Sequence, residues 1–354
     1  TFIVPDTFLF LHRHSLLRKY LLTNSKIIEI ITFPSNLFPG VQFGYSNLCI
    51  ITLQKTELRN QALEHEVRFI TGIKTEKDLV AINHNEYGKY NLNLLKQQDV
   101  YDNPDHAFLV NSNKQIPRII QEHSLTLGDI ADCVTGLYVG DNRRFLKVAS
   151  HSVKNSKNYD VIKENEIATD YLEHENLLEG LPGNQYIPIV KGSPQNRYLR
   201  SKSLWYVNWS TEAVNHYKSD KKARFQNSQF YFKDGIALPM VKSSNIRATL
   251  MSGMVFDQSI VGVFPRDRKL LFYLLALLNS KTIRDIITTI NPSANNSANY
   301  IKKVPIIMPE DETLDRISSH VKTIIEHLKC DKFQLADAIH TQVEIEIEEI
   351  YFPN

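Results

Sequence analysis

Three observations predict a chain that is α/β in its opening and α/β plus α+β taken as a whole. Residues 1–55 read strand, helix, strand, loop, strand, which is the closing half of an open, Rossmann-like sheet. Residues 123–310 carry short apolar runs punctuated by glycine and small polar turns, the mark of a mixed α/β region built on paired strands. Beyond Glu310, Leu314, Ile317, Val321, Ile324, Ile325 and Leu328 keep helical spacing, so 311–354 is expected to be a helical segment. Four regions result: a sheet-bearing part at 1–60, a connector at 61–122, the mixed region at 123–310 and the helical end.

Phe2-Ile3-Val4 is an apolar run stopped by Pro5, as for a buried strand arriving at a sheet edge. Ser15 to Leu22 sets Leu16, Leu17, Tyr20 and Leu21 on one face and Arg18 and Lys19 on the other, as an amphipathic helix would. Ile27–Thr32 and Leu48–Leu53 are further β-branched runs. A doubly wound sheet also needs a first strand and a glycine-rich first turn, and neither occurs in this stretch. In the charged connector, Glu64–Ile70 and Lys89–Leu95 fit strands or short helices equally, and Ile116–Glu122 reads as a helix.

The opening resembles the gamma-class adenine-N6 DNA methyltransferases, the TaqI-like enzymes and their type IIG restriction–modification relatives. In that family a Phe-Ile-Val-Pro strand leads into a helix containing Leu-Arg, then a loop with Phe-Pro, then a final hairpin. Phe2–Pro5, Leu17-Arg18, Phe38-Pro39 and the strand around Ile50 occupy those places. The resemblance implies that the cofactor loop and an Asn-Pro-Pro-Tyr tetrad lie upstream of Thr1, and no such tetrad occurs in this chain. The chain is therefore expected to be the carboxyl-terminal part of such an enzyme, and its start on Thr rather than Met agrees. The methyl donor of the parent enzyme would be S-adenosylmethionine, whose binding residues are absent here, so the fragment alone is expected to be inactive. The family flips its target adenine out of the duplex. Phe38 matches the aromatic that packs against that base; the family's lysine three residues later is Val41 here, so no basic contact is carried over.

In the mixed region, Cys133 to Leu146 contains Thr135-Gly136-Leu137-Tyr138-Val139-Gly140-Asp141-Asn142 followed by Arg143 and Arg144. Read plainly, it is a hairpin with two solvated arginines. The alternative has Asn142, Arg143 and Arg144 meeting phosphates or guanine edges, and the resemblance favours it, because a Thr-Gly-Leu-x-x-Gly-Asp-Asn stretch commonly opens the target-recognition domain of type IIG enzymes. Tyr186–Val190 and Leu204–Trp209 read as strands around a polar loop, and Trp205, Val207 and Trp209 share one strand face, which fits core packing better than base stacking. Lys218–Phe225 reads as a basic helix: a solvated face in general, a phosphate contact beside DNA. Gly235–Lys242 and Met254–Pro265 resemble the paired strands of the recognition domain, with Lys242, Asn245, Arg247 and Gln258 as DNA-contact candidates. Leu270–Ser280 is an apolar core helix whose Leu-Leu-Asn-Ser end recurs in these domains, Asn279 capping it. The amide-rich loop Asn291–Tyr300 and the following lysines add Asn295, Asn296, Lys302 and Lys303; a surface loop is the plain reading, and the resemblance favours the DNA side. Val343–Ile350 alternates like a strand, although related enzymes end in a helix.

The net charge of the 354 residues is +2, so any nucleic-acid surface must arise from local clustering. Three scattered cysteines make neither a disulfide framework nor a zinc pattern, which fits a reducing cytoplasm. No apolar run approaches the ~20 residues of a membrane helix, and no His-x-x-x-His pair or nuclease core is evident. The expected partners are double-stranded DNA and the methyltransferase domain of the same polypeptide, with a nuclease domain where that polypeptide is a restriction enzyme. Two other classes share these features: a non-enzymatic specificity subunit like that of type I systems, and a phage-defence methyltransferase of the BREX type.

Overall fold

The structure is a computed structural model and describes every residue except 38–46, 85, 87, 112, 201, 242–245, 293, 294 and 354. It divides into two compact units, residues 1–124 with 285–294, and residues 125–284 with 295–354.

The first unit is organised on a five-stranded mixed sheet in the order β1-β3-β2-β4-β5. Its strands are β1 (Phe2–Pro5), β2 (Ser25–Phe33), β3 (Leu48–Lys55), β4 (Glu66–Thr71) and β5 (Asn91–Lys96). The third strand enters between the first two and runs antiparallel to both, with Phe2 opposite Ile51 and Phe33 opposite Leu48. The stretch read as a connector thus contributes β4, parallel to β2, and β5, antiparallel to β4. Ile30 packs with Leu22, Val67 and Phe108 on one face, whereas Ile31 packs with Ile70, Ile73 and Tyr90 on the other. Burial of both faces explains why β2 reads as a continuous apolar run instead of an alternating one.

Two expectations fail here. Strand β1 is not buried: Phe2 is 60% and Ile3 48% exposed. The helix Ser15–Asn24 is turned the other way round, with Leu16 80% and Tyr20 62% exposed and Arg18 wholly buried. The reason is carbonyl demand. Arg18 Nη1 donates to Phe8 O at 2.6 Å and Leu11 O at 3.0 Å. Its Nη2 donates to Asp105 O at 2.8 Å and its Nε to His106 O at 3.0 Å. Asp105 and His106 both have positive φ, 57° and 54°, so this turn has no regular partner for its carbonyls. A guanidinium with five donors in a fixed fork supplies what apolar spacing cannot.

The second unit holds two sheets, ordered β6-β14-β11-β12-β9 and β13-β8-β10-β7. The strands are β6 (Ala131–Thr135), β7 (Leu146–Val148), β8 (Tyr186–Val190), β9 (Tyr198–Leu199), β10 (Trp205–Asn208), β11 (Gly235–Pro239), β12 (Thr249–Met251), β13 (Val255–Phe256) and β14 (Ile260–Pro265). The presumed hairpin at 133–146 does not form, because β6 and β7 belong to different sheets. Gly136 lies so close to β13 that a Cβ there would fall 1.8 Å from Phe256 O. Gly140 has φ +82° and rests on the Ala223 backbone. Asp141 then caps the short helix Asn142–Phe145, accepting from the amides of Arg143 and Arg144 at 3.1 and 3.2 Å.

Trp205, Val207 and Trp209 are core, and Trp209 Nε1 donates to Leu177 O at 2.7 Å. The basic helix at Lys218–Phe225 does not form. The helix there is Thr211–Ser219, capped by Ser210, and Asp220 ends it by accepting from Lys222 N at 2.7 Å. Asn279 reaches beyond its own helix, Leu271–Asn279: its amide donates to Leu275 O and Ala248 O and accepts from Ala248 N, joining helix to sheet. The chain ends in two helices, Asp311–Lys329 and Phe333–Tyr351. The alternating stretch is helical because Val343 and Ile347, one turn apart, are both fully buried, whereas Ile345 is exposed. The chain is therefore a mixed α/β structure with a helical end, as the sequence predicts.

Candidate functional site

Strand register decides which loops meet. In the larger sheet of the second unit, β6 ends with Thr135 opposite Val261, and β11 ends with Pro239 opposite Ile260, where β14 begins. β12 begins with Thr249 opposite Ala237, and β9 begins with Tyr198 opposite Thr249. Segments 136–141, 192–197, 240–241, 246–248 and 257–259 therefore all leave or enter at one end of the sheet. Main-chain bonds join them. Gln258 N donates to Leu137 O at 2.8 Å, Met240 N to Ser259 O at 2.9 Å and Asn296 N to Met240 O at 2.7 Å, with Val241 bridged to Asn295.

Gln258, Arg247, Asn295 and Asn296 consequently stand together at this end. Asn295 is exposed, but Asn296 is 1% exposed and its Oδ1 has no hydrogen-bond partner among the described residues. Of the two asparagines, only the first presents its side chain outward. Arg247 lies half-buried, with Nη1 donating to Gln195 O at 2.7 Å and Pro194 O at 3.3 Å, so it clasps the loop before β9. Lys242 and Asn245 lie outside the described residues; the flanking Val241 and Ile246 belong to this end.

Asp257 fixes the end and was not singled out by its sequence. It is 2% exposed, and its carboxylate accepts from Lys191 Nζ at 2.9 Å and from Ser259 N at 2.9 Å. Its own amide donates to Val190 O at 2.9 Å, so one residue ties the ends of both sheets. A buried ion pair adds little net stability, but it specifies position. Asp257 is followed by the polar Gln258 and Ser259, so in the sequence it has the look of an ordinary turn residue.

The other candidates stand elsewhere. Arg143 and Arg144 are exposed, and Arg144 borders a cleft with Tyr186 and Asn208, at the end of the smaller sheet away from Lys191. Asn142 is half-buried in the same short helix. Lys302 and Lys303 follow the helix Ala298–Ile301, and Lys302 O accepts from Gly128 N at 2.9 Å, beside the start of β6. That is the opposite end of the larger sheet, about 16 Å away at ~3.3 Å per residue along β14.

In the first unit, Phe38 lies outside the described residues. Of the residues flanking 38–46, Asn47 offers its carbonyl to Asp6 N at 2.9 Å, at the carboxyl end of β1. Carboxyl ends of strands are where open α/β sheets bind ligands. Asp6 is held there with its pKa raised to about 6 by burial, against opposing hydrogen bonds from Asn47 and Thr7. Burial and the charge of Asp6 together push the neighbouring Cys49 thiol up to about 12, so it is inert. Among the described residues, β1 runs through Pro5 into the 3-10 turn Asp6–Leu9. Among the described residues no cluster of His, Cys, Asp and Glu could hold a metal ion, and no helix is long and apolar enough to cross a membrane.

Parts of the sequence match known proteins. Over 131 residues, 36% of the chain, it is 26% identical to adenine-specific methyltransferase BrxX of Escherichia coli O9:H4 (strain HS). Over 219 residues, 60% of the chain, it is 23% identical to adenine-specific methyltransferase PglX of Lacticaseibacillus casei (strain Zhang). The chain is similar in sequence to these two adenine-specific methyltransferases. The aligned parts span 11% and 17% of those two relatives. No family model matches. Among solved structures, the type IIG restriction endonuclease BpuSI superposes with a TM-score of 0.41 at 12% identity, over 99% of this chain and 46% of that one.

Proposed function

We propose that this chain carries the DNA sequence recognition of a site-specific adenine-N6 DNA methyltransferase that uses S-adenosylmethionine bound outside the chain. The observation that supports it is the gathering of Arg247, Gln258 and Asn295 at one sheet end, in a relative of adenine-specific methyltransferases. Amides at such an end can pair with adenine edges, and a guanidinium with guanine or phosphate. Lys242 and Asn245 belong to the same reading. Asn142, Arg143 and Arg144, and Lys302 and Lys303, would contact backbone further along the duplex, since neither group shares this end. In this reading Phe38 packs against the flipped adenine. Of the possible parents, a BREX-type phage-defence methyltransferase is favoured over a type IIG enzyme by the two curated relatives, BrxX and PglX. The cytoplasm is its compartment.

Titrating a labelled duplex by fluorescence anisotropy at two ionic strengths tests the reading. Weak binding is expected, with log K falling by about 0.9 per released phosphate contact against log salt. Arg247→Gln should lower affinity at least about fivefold, the loss of ~1 kcal/mol that one contact represents. Binding that is undetectable, or indifferent to salt, overturns it.

A further inference from the structure

A second polar site opens beside this sheet end, where the loop before β9 faces the C-terminal helix pair. It is a cavity of about 320 Å³, within the size range of pockets for small organic ligands. Its chemistry is divided. Arg197 and Arg247 line one side, and among the described residues the only carboxylate lining the cavity is Asp337, 76% exposed and 3.7 Å from Arg197 Nη2. The opposite side is apolar, made by Ile324, Leu328 and Phe333, with Phe333 46% exposed as a residue.

The floor is a buried relay. Tyr198 Oη lies 2.7 Å from His340 Nδ1, His340 Nε2 lies 3.2 Å from Glu344, and both Glu344 oxygens accept from Lys281 N at 3.0 Å. Tyr198 is 1% exposed yet has φ +66°, a left-handed backbone that costs a non-glycine residue energy. The surrounding structure enforces it: Tyr198 N donates to Ala248 O at 2.8 Å, and Leu199 N to Arg197 O at 2.8 Å. The bend that strains Tyr198 is what sets Arg197 on the cavity wall beside Arg247.

We propose that this cavity binds a nucleoside monophosphate. Two guanidinium groups match a phosphate in a way that one lysine would not. An exposed aromatic ring on an aliphatic wall suits the face of a base, and Asp337 with the amide of Asn196 offers polar edges for its exocyclic groups. The relay beneath is occupied by its own partners, so the floor is preorganised. The nucleotide can come from two sources, a free mononucleotide or an unpaired nucleotide of a bound strand. The first does not depend on the recognition reading above.

Isothermal titration of the chain with adenosine 5′-monophosphate and, separately, with inorganic phosphate tests the proposal. The nucleotide should bind once per chain with a dissociation constant below about 1 mM, at least about tenfold tighter than phosphate if the wall holds the base. Arg197→Gln and Phe333→Ala, both at the rim, should each weaken it at least about fivefold without moving the melting temperature. Equal affinity for phosphate, or indifference to Phe333→Ala, overturns the proposal. If the free nucleotide fails to bind, a duplex with one unpaired nucleotide is the second arm. Unchanged affinity of both variants for that duplex likewise overturns it. Nucleotide binding by a chain that ignores all duplexes would sustain this site while removing the recognition reading.

Discussion

Arg18 shows how one side chain can reverse a helix. Its spacing made it a surface residue, but it is the donor for four main-chain carbonyls and is fully buried. Arg18→Leu should lower the stability of the first unit by about 3 kcal/mol, since several buried carbonyls lose their donor at once. Urea denaturation with a probe in that unit would measure it, and a change below about 0.5 kcal/mol, as for an ordinary surface site, would refute the role. Asp6 makes the opposite contribution. Its pKa in the fold, about 6, is above the usual 3.8, so the folded state binds the proton more tightly. The stability it confers is full below pH 3.8 and is lost as pH rises towards 6. Asp6→Asn should flatten stability across that window, and a pH series of denaturation midpoints in which wild type is already flat would contradict this.

At the scale of elements, the sequence disclosed where strands and helices lie better than how they join. The runs at 25–33, 48–55 and 205–208 became strands because β-branched and aromatic residues alternate or fill both faces. The supposed hairpin at 133–146 misled because its two glycines mark close contacts, not a two-strand turn. Gly136 admits the Phe256 carbonyl, and Gly140 supplies a positive φ against Ala223. Gly136→Ala should therefore leave the second unit unfolded or destabilised by at least about 3 kcal/mol, because the contact is with backbone that cannot rotate away. A melting temperature within about 2 °C of wild type would show that β13 can move aside. The terminal stretch alternates like a strand yet is the expected helix, since Val343 and Ile347 serve a helix as well as a strand.

For the whole molecule, composition limited the possibilities and register supplied the site. A net charge of +2 on 354 residues makes affinity for DNA a matter of few, placed contacts, so the salt slope should report a small number of phosphates. Arg247, Gln258 and Asn295 are separated by as many as 48 residues, and only the pairing of β11 with β14 and the Val241–Asn295 bridge reveals them as neighbours. Asp257 and Lys191 were invisible for the same reason: an ion pair between two loops leaves no local pattern.

The strand order of the first unit also bears on synthesis. β3 is the middle member of its trio, yet it is the last of the three to leave the ribosome. Until Lys55 emerges, β1 lacks the partner that β3 supplies, and the edge that β3 will cover stays open on the nascent chain. Such an edge is a target for chaperones and for mispairing between neighbouring polysomal chains, and slowing translation between residues 34 and 47 would lengthen that exposure.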